Sequence, residues 1–235
     1  MEIKLDYNFE QIKKNTVKAE KQLKESDCVK FENPEGSGAR ILFVGNSITL
    51  HDALDEIGWY GNWGMAASKK EYDYVHRIIS KISNTGKDAA YGITQVYLWE
   101  KGYKEGGEKL FHIYEESRKF EADIIVIRFI ENCAQEDFDN AVFKEEFYKL
   151  LEFLNPNGNA KIIITTAFWH HKGDDVLREI ANENAYPLIE LGDLGELDEM
   201  KAIGLFTHDG VAAHPGDLGM QNIADRIYEK LKVYL

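Results

Sequence analysis

The chain has 235 residues, and its 28 basic and 41 acidic side chains give a formal net charge of −13 at pH 7. This acidic balance argues against nucleic-acid binding and against docking on an anionic membrane, because both ligands need a basic face. Hydrophobic residues make up 44% of the sequence, as in ordinary soluble globular proteins. No apolar run approaches the roughly 18 residues of a membrane span, and the N-terminus lacks the apolar stretch of a signal peptide. Two cysteines, Cys28 and Cys133, are too few for a disulfide framework, so we expect a reduced, cytoplasmic protein.

The N-terminal part of the sequence predicts a separate helix. Six small or apolar residues are spaced alternately four and three positions apart, which places them along one helix face. They are Leu5, Phe9, Ile12, Thr16, Ala19 and Leu23. Pro34, Gly36 and Gly38 then break the pattern, as a linker turn does. We therefore expect a helical extension and linker over residues 1–38 and the main domain over residues 39–235. The helix either packs on the outside of that domain, which is the more common role, or binds a partner.

From residue 40 onward, short apolar runs alternate with amphipathic segments. The runs predict strands at 41–44, 95–99, 124–129, 161–167 and 188–191. The amphipathic segments predict helices at 74–82, 110–117, 141–154, 176–184 and 220–231. Strands separated by helices form parallel sheets with helices on both faces. The predicted fold class is therefore α/β: a three-layer, flavodoxin-like α/β/α sandwich with a five-stranded, mainly parallel sheet.

Three polar residues stand where such a sheet binds its ligands, outside the carboxyl ends of the strands. Ser47 follows the first predicted strand, Asn132 follows the third, and His214 precedes the last helix. A serine beside a histidine base can act as a nucleophile, and an asparagine amide can stabilise an oxyanion without adding a charge. Each residue alone also has an ordinary explanation as a turn, cap or surface residue.

Together, and in this order, the three residues resemble the motifs of the SGNH hydrolases, also called the GDSL-like lipase/esterase superfamily. The first motif of that family is a strand followed by Gly-Asp-Ser or Gly-Asn-Ser, and Ile41 to Thr49 is similar to it. A later motif has an asparagine after a central strand, as in Ile124 to Asn132. The last motif has an aspartate followed by His-Pro and the terminal helix, as in Asp209 to Pro215. The resemblance covers the chain from Arg40 to its last residue.

The resemblance implies roles for five residues. Ser47 would be the nucleophile and would also give its backbone N–H to the oxyanion hole. Asn132 would donate a side-chain N–H to the same oxyanion, and His214 would be the general base. The family adds a glycine N–H to this hole, and Gly64 is the expected donor. Asp209 would support His214, and the reaction would need no metal or organic cofactor.

Two positions depart from the pattern of the family. Asp209 lies five residues before His214, whereas the family spaces these residues three apart. Either Asp209 reaches His214 through a longer turn, or a backbone group orients the imidazole and leaves a Ser–His dyad. Ile130 stands two residues before Asn132, where the family usually has a glycine, and this substitution predicts a narrower pocket.

Four aromatic or imidazole side chains are candidates for substrate binding. Trp59 and Trp63 lie among glycines soon after Ser47, where they either stack on a sugar or form a hydrophobic wall of the site. Both alternatives are open. Trp169 closely follows a predicted strand and is expected to line the pocket. His51 lies near Ser47, where it either lines the pocket or continues the turn.

The sequence His170-His171 with Asp174 and Asp175 has the ligand types of a zinc site. Adjacent histidines normally point apart, and no third histidine has the spacing of a zinc motif. We therefore expect no metal site and assign these residues to the rim of the pocket.

The predicted function is that of a serine esterase that forms an acyl-serine intermediate. The expected substrate is a small-molecule ester, in particular an acetyl group on a carbohydrate-like alcohol. Two alternatives remain open. One is a flavodoxin-like module that binds a nucleotide or phosphate at residues 45–49, although no glycine-rich nucleotide motif follows the first strand. The other is a hydrolase-like domain that has lost activity.

Overall fold

A six-stranded sheet forms the centre of the structure, a computed structural model that describes residues 22–235. The strands are β1 (Val29–Glu32), β2 (Ala39–Gly45), β3 (Ala89–Gln95), β4 (Ile124–Arg128), β5 (Lys161–Thr165) and β6 (Leu188–Ile189). Their order in the sheet is β1-β3-β2-β4-β5-β6. All neighbouring strands are parallel except β1 and β3. The helix predicted at the N-terminus lies outside the described residues except at its end, where Leu23 is not in a helix.

Helices connect the strands and cover the sheet. The α-helices are α1 (Tyr74–Asn84), α2 (Tyr97–Gly102), α3 (Glu115–Lys119), α4 (Asn140–Leu154), α5 (Asp174–Glu183), α6 (Gly192–Gly195), α7 (Asp209–Ala212) and α8 (Asp217–Leu231). The 3₁₀ segments are Asp55–Ile57, Lys70–Tyr72, Tyr103–Glu105, Gly107–Tyr114, Asp198–Met200 and Lys232–Tyr234. No helix within residues 22–235 has both the length and the apolar composition needed to cross a membrane.

The two faces of the sheet pack against different helices. In β2, Leu42 and Val44 face the cluster that includes α4 and α5, whereas Ile41 and Phe43 face the cluster that includes α1 and α8. Because side chains alternate along a strand, a strand buried on both faces has a continuous apolar sequence. This packing confirms the predicted three-layer α/β/α class.

The sheet has one strand more than predicted. β1 pairs antiparallel with the edge of β3, and its Val29 and Phe31 are buried. Four residues are too short to give a clear alternating pattern, and the sequence predicts them as part of the helical extension and linker over residues 1–38. The sheet therefore includes residues that precede the predicted domain boundary at residue 39.

The second predicted strand is wrong in position. The segment 95–99 contains only the last residue of β3, and its residues from Tyr97 onward belong to α2. β3 itself begins with small residues that have weak strand preference. At Gly92 a Cβ would lie 3.0 Å from both Leu42 Cδ1 and Phe31 Cδ1, so close packing between neighbouring strands selects the small residue.

Candidate active site

Ser47 lies at the carboxyl end of β2 in a tight turn. β2 ends at Gly45, and the N–H of Thr49 donates to the carbonyl of Asn46 at 2.8 Å. A Cβ on Gly45 would lie 1.8 Å from Thr49 Oγ1 and 2.7 Å from the carbonyl oxygen of Arg128, so no side chain fits there. The turn therefore packs directly on β4 and leaves Ser47 half-buried at the edge of the sheet.

His214 contacts Ser47 with the tautomer that a general base needs. Its Nε2 lies 2.8 Å from Ser47 Oγ, and its Nδ1 lies 2.6 Å from the carbonyl oxygen of Gly210. A carbonyl can only accept a hydrogen bond, so Nδ1 bears the proton of the neutral ring. Nε2 is then free to accept the proton of the serine hydroxyl.

The surroundings of His214 keep its ring neutral. Burial lowers the pKa of His214 to about 4, and the charge of Arg128 acts in the same direction, against the opposing hydrogen bond to Gly210. Trp169 packs edge to face against the imidazole, with ring centroids 5.2 Å apart. This contact helps to hold the imidazole ring in place. Trp169 is not among the residues that line the cavity above Ser47.

Asp209 does not contact His214, contrary to the expected supporting role. Asp209 is exposed at the first position of α7, and its carboxylate has no hydrogen-bond or ion-pair partner among the described residues. The N–H of Val211 is capped instead by Nδ1 of His208, at 3.3 Å. The short turn of α7 places the Gly210 carbonyl, rather than a carboxylate, against His214. This geometry matches the second alternative from the sequence, a Ser–His dyad.

Asn132 lines the same cavity as Ser47 and His214. One N–H of its side-chain amide donates to Glu100 Oε2 at 2.8 Å. Within residues 22–235 the second N–H has no acceptor, and neither has the backbone N–H of Ser47. These two N–H groups are therefore available to stabilise an oxyanion at the site.

Gly64 lies near Ser47, but its N–H is already used. It donates to Oδ2 of Asp73 at 3.2 Å, and Asp73 is fully buried. A Cβ on Gly64 would lie 2.5 Å from the carbonyl oxygen of Ile48, so the glycine permits close packing beneath the serine turn. The prediction that Gly64 completes the oxyanion hole is therefore wrong.

A buried carboxylate that the sequence analysis missed lies next to Asn132. Glu100, on α2, is 1% exposed. Its Oε1 accepts from the backbone N–H groups of Ile130 and Asn132 at 2.7 and 3.3 Å. Nδ2 of Asn46 also donates to Oε1, at 3.1 Å. The only sequence signal for this role is a single acidic residue after the apolar run that ends at Trp99.

A second buried carboxylate, Glu131, lies beside Glu100 and pairs with Arg128. Although burial alone would raise the pKa of Glu131, the Arg128 guanidinium holds that pKa below its ordinary value. Burial, together with the charge of Glu131, raises the pKa of Glu100 to about 7. The Asn46 amide joins the two carboxylates, since Nδ2 also lies 2.6 Å from Glu131 Oε2.

Ile130 stands where the family usually has a glycine, and the sequence therefore predicted a narrower pocket. The structure differs, because Ile130 does not narrow the pocket. Its side chain is fully buried, and a Cβ on Gly173 would lie 2.4 Å from its Cδ1. The side chain therefore packs in the core, outside the cavity lining. The backbone φ of Ile130 is 146°, in a region that favours glycine. An isoleucine at this position therefore costs about 1–3 kcal/mol of backbone strain.

Trp59 and Trp63 form a wall behind the cavity. Trp59 is 3% exposed and packs edge to face on Trp63, with ring centroids 5.6 Å apart. Their indole N–H groups donate to the carbonyls of His51 and Ala67, both at 3.0 Å. Neither tryptophan is among the residues that line the cavity, and their packing corresponds to the hydrophobic wall, the second of the two alternatives from the sequence.

The cavity above Ser47 has a volume of about 250 Å³. Its other lining residues are His51, Ile57, Met65, Gln95, Tyr97, Asn132, His208, Gly210, Val211 and His214. Nδ1 of His51 lies 2.6 Å from the Asp52 carbonyl oxygen, so the neutral ring has an acceptor at Nε2. His208 has the opposite tautomer, because its Nδ1 accepts from Val211. Besides His214, the cavity lining thus includes one imidazole acceptor, His51, and one imidazole donor, His208.

The two adjacent histidines near the rim point in different directions. His170 is exposed, with Nε2 3.0 Å from Glu196 Oε1. His171 is buried, with Nε2 3.0 Å from the Cys133 carbonyl oxygen. In the described part of the chain, no group of three or more His, Cys, Asp and Glu residues is arranged to hold a metal ion.

Two clefts with more than twice the volume of the cavity above Ser47 lie away from that residue. One, of about 610 Å³, lies where β4 and β5 begin, and its lining includes Asp123 and Lys161. The other, of about 680 Å³, lies between the ends of α5 and α8 and includes Arg178 and Tyr234. Neither lining contains a serine, cysteine or histidine. A further cavity of about 260 Å³ is lined by His76, but both nitrogens of that ring are already bonded, to Asp73 and Glu32. The cavity at Ser47 is therefore the better candidate for chemistry.

Solved structures match this fold, whereas no family model and no curated protein matches the sequence. The psychrotrophic esterase EstA from Pseudoalteromonas sp. aligns with a TM-score of 0.53 and 13% identity, over 83% of this chain and 98% of that chain. An acetyl xylan esterase aligns with a TM-score of 0.52 and 18% identity, over 81% and 98% of the two chains. An acetyl-xylooligosaccharide esterase from Geobacillus aligns with a TM-score of 0.51 and 15% identity, over 83% of this chain and 95% of that chain. At 13–18% identity, these likenesses show the fold alone.

Proposed function

We propose that the chain is a serine esterase. The observation that carries this proposal is the 2.8 Å contact between Ser47 Oγ and His214 Nε2, with Nδ1 of the same ring held by the Gly210 carbonyl. A serine that only shapes a turn needs no neutral imidazole acceptor at its hydroxyl. The likeness in fold to solved esterases supports the same assignment.

In the proposed reaction, Ser47 Oγ attacks the ester carbonyl carbon while His214 Nε2 takes the hydroxyl proton. The oxyanion accepts hydrogen bonds from the Ser47 backbone N–H and the free amide N–H of Asn132. The imidazolium, still bonded to the Gly210 carbonyl, protonates the leaving alcohol and an acyl-serine remains. Water then attacks the acyl group with His214 again as base, which releases the acid and restores Ser47.

The proposed substrate is a small acyl group, acetyl in particular, on a carbohydrate-like alcohol. A cavity of about 250 Å³ is smaller than the roughly 300–1,000 Å³ of most small-molecule sites, which favours a short acyl chain. Sugar hydroxyls both donate and accept, and the acceptor of His51 and the donor of His208 suit such groups. Solved structures of similar fold include esterases of acetyl xylan and acetyl-xylooligosaccharides, which supports this choice.

Removal of either member of the pair is expected to abolish turnover. In Ser47→Ala and His214→Ala, kcat for p-nitrophenyl acetate should fall about a thousandfold or more, because each change removes one half of the nucleophile–base pair. A fluorophosphonate probe followed by peptide mapping should place the label on Ser47 in the wild type. The label should be lost in His214→Ala.

The matched control is His170→Ala, whose ring is exposed and contacts Glu196 instead of Ser47. This variant should keep both hydrolysis and the label. A folded wild-type chain that hydrolyses no ester and takes no label would contradict the proposal. The inactive homologue would then be the better explanation, or the nucleotide- or phosphate-binding module if an ultraviolet-absorbing ligand co-purifies.

The sugar preference has its own test at His51. His51→Phe removes the Nε2 acceptor and keeps a ring of similar size. The ratio of kcat/KM for an acetylated methyl xyloside to that for p-nitrophenyl acetate should fall about tenfold, as expected for one lost hydrogen bond. His112→Phe, at an exposed residue outside the cavity, is the control. An unchanged ratio in His51→Phe would argue against a hydroxyl-bearing alcohol.

A further inference from the structure

The buried carboxylate of Glu100 has no cationic partner. Burying a charge is costly unless it is paired or well supplied with hydrogen-bond donors. Within residues 22–235, no Lys, Arg or His lies at ion-pair distance from Glu100, which is 1% exposed. Four N–H groups compensate instead, and they come from the turns that follow β2 and β4. Two of the four belong to Asn132.

These two bonds fix both the backbone and the side chain of Asn132. The backbone N–H donates to Glu100 Oε1 at 3.3 Å, and the side-chain Nδ2 donates to Oε2 at 2.8 Å. A free asparagine amide has broad rotational preferences. An ionised carboxylate accepts only, so it selects the amide orientation with nitrogen toward Glu100. Because the amide is planar, the direction of its second N–H is then set as well.

We propose that Glu100 is the positioning residue of the oxyanion hole, holding the Asn132 amide so that its second N–H is directed at the carbonyl oxygen of a substrate bound at Ser47. This proposal rests on the proposed esterase function, to which it adds a residue. Glu100 does not line the cavity and therefore acts through Asn132.

Glu146 shows what a purely structural buried carboxylate looks like in the same chain. It is 6% exposed, accepts the N–H of Gly107 at 2.8 Å and forms an ion pair with Lys149. It lies on α4, is not among the residues that line the cavity, and has no hydrogen bond to any of them. Glu146→Gln is therefore a matched control for Glu100→Gln.

The charge state of Glu100 is expected to set the pH below which the esterase activity falls, that is, the acid limb of the pH–activity profile. Its titratable and charged neighbours are Glu131, Arg128, Cys133 and Tyr114. Burial and the Glu131 charge raise the pKa of Glu100 to about 7. Protonation turns one acceptor oxygen into a donor that faces other donors, so activity should fall below about pH 7. His214 alone, with a pKa of about 4, would allow activity to a lower pH.

The kinetic experiment compares Glu100→Gln, Asn132→Ala and the double variant on p-nitrophenyl acetate. Glu100→Gln should lower kcat about tenfold to a hundredfold and leave KM within about twofold, because the lost contact acts in the transition state. The double variant should be no slower than Asn132→Ala, since both changes disable one donor. In Glu100→Gln, the fall of activity near pH 7 should move to lower pH. The control Glu146→Gln should keep both the kcat and the pH–activity profile of the wild type.

A second measurement is independent of turnover. The Asn132 side-chain amide can be identified in ¹⁵N–¹H spectra by its loss in Asn132→Ala. We expect this signal to titrate near pH 7 in the wild type and to shift, without titrating, in Glu100→Gln. Melting temperatures of the variants show whether each is folded.

Either of two results would overturn the proposal in an active esterase. One is an Asn132 amide unchanged by Glu100→Gln, and the other is a double variant whose losses simply multiply. If the wild type hydrolyses no ester, the proposed function fails and the oxyanion role fails with it. An amide that still shifts in that case supports the narrower statement that Glu100 holds Asn132.

Discussion

At the scale of single residues, a backbone carbonyl contacts the imidazole of His214 where the resemblance implied the carboxylate of Asp209. The Gly210 carbonyl accepts from His214 Nδ1 at 2.6 Å, whereas Asp209 is exposed to solvent. A neutral carbonyl fixes the tautomer and orientation of the ring. It stabilises the imidazolium less than a carboxylate does, which is consistent with the low pKa of His214. Orientation, rather than charge, is therefore the contribution of this contact.

Substitution of Asp209 is expected to have little effect on the proposed reaction. Asp209→Asn should lower kcat/KM for p-nitrophenyl acetate by less than about tenfold, or about 1.4 kcal/mol, because its carboxylate does not contact His214. Steady-state kinetics beside Ser47→Ala, as the inactive reference, gives the measurement. A loss of a hundredfold or more would show that Asp209 reaches His214 during turnover and would contradict the dyad.

At the scale of elements, one charged histidine joins the edge strand β1 to α1. His76 on α1 has Nδ1 2.8 Å from Asp73 Oδ1 and Nε2 3.2 Å from Glu32 Oε1 on β1. Although burial opposes the charge, these carboxylates raise the pKa of His76 to about 9. Asp73 also accepts the N–H of Gly64, so the same cluster holds the segment beneath the serine turn.

The stability of the protein should therefore depend on pH through His76. The pKa of folded His76 lies above its ordinary value of 6.5, so the stabilisation is complete below about pH 6.5 and is lost as the pH rises through about 9. The free energy of unfolding of the wild type should exceed that of His76→Gln by about 2 kcal/mol more at pH 6 than at pH 10. Urea denaturation at the two pH values measures this difference.

The control for this prediction is His112→Gln, because His112 is exposed on the surface. Its difference from the wild type should be the same at both pH values. A His76→Gln difference that does not change between pH 6 and pH 10 would show that His76 is not charged in the folded protein.

At the scale of the whole molecule, the strand order assembles the site from distant parts of the chain. Ser47 and His214 are 167 positions apart in the sequence and 2.8 Å apart in the structure. β2 and β4 are parallel neighbours, so Ser47 and Asn132 follow strands that end at the same edge. The loop before α8 brings His214 to that edge, where the Ala202 N–H donates to its carbonyl at 2.9 Å. The sheet order is therefore a condition for any chemistry at Ser47.

Local pattern was sufficient for those parts of the fold that have strong periodicity. The continuous apolar runs of β2, β4 and β5 and the amphipathic faces of α1, α4 and α8 all predicted their elements correctly. The short edge strand β1 and the small residues of β3 were not recognised, because their structure depends on pairing with each other. The sheet therefore gained a strand that no local pattern indicated.

By itself, the sequence determined the α/β/α class and placed Ser47, Asn132 and His214 at the edge where the structure brings them together. Only the tertiary structure decided which groups complete the site. It placed a carbonyl where Asp209 was expected, used the Gly64 N–H elsewhere, and buried Trp59 behind the cavity. It also brought Glu100 against Asn132. The physical reason is that the spacing of motif residues indicates only where the chain turns. Hydrogen-bond partners and burial depend on contacts between segments that are far apart in the sequence.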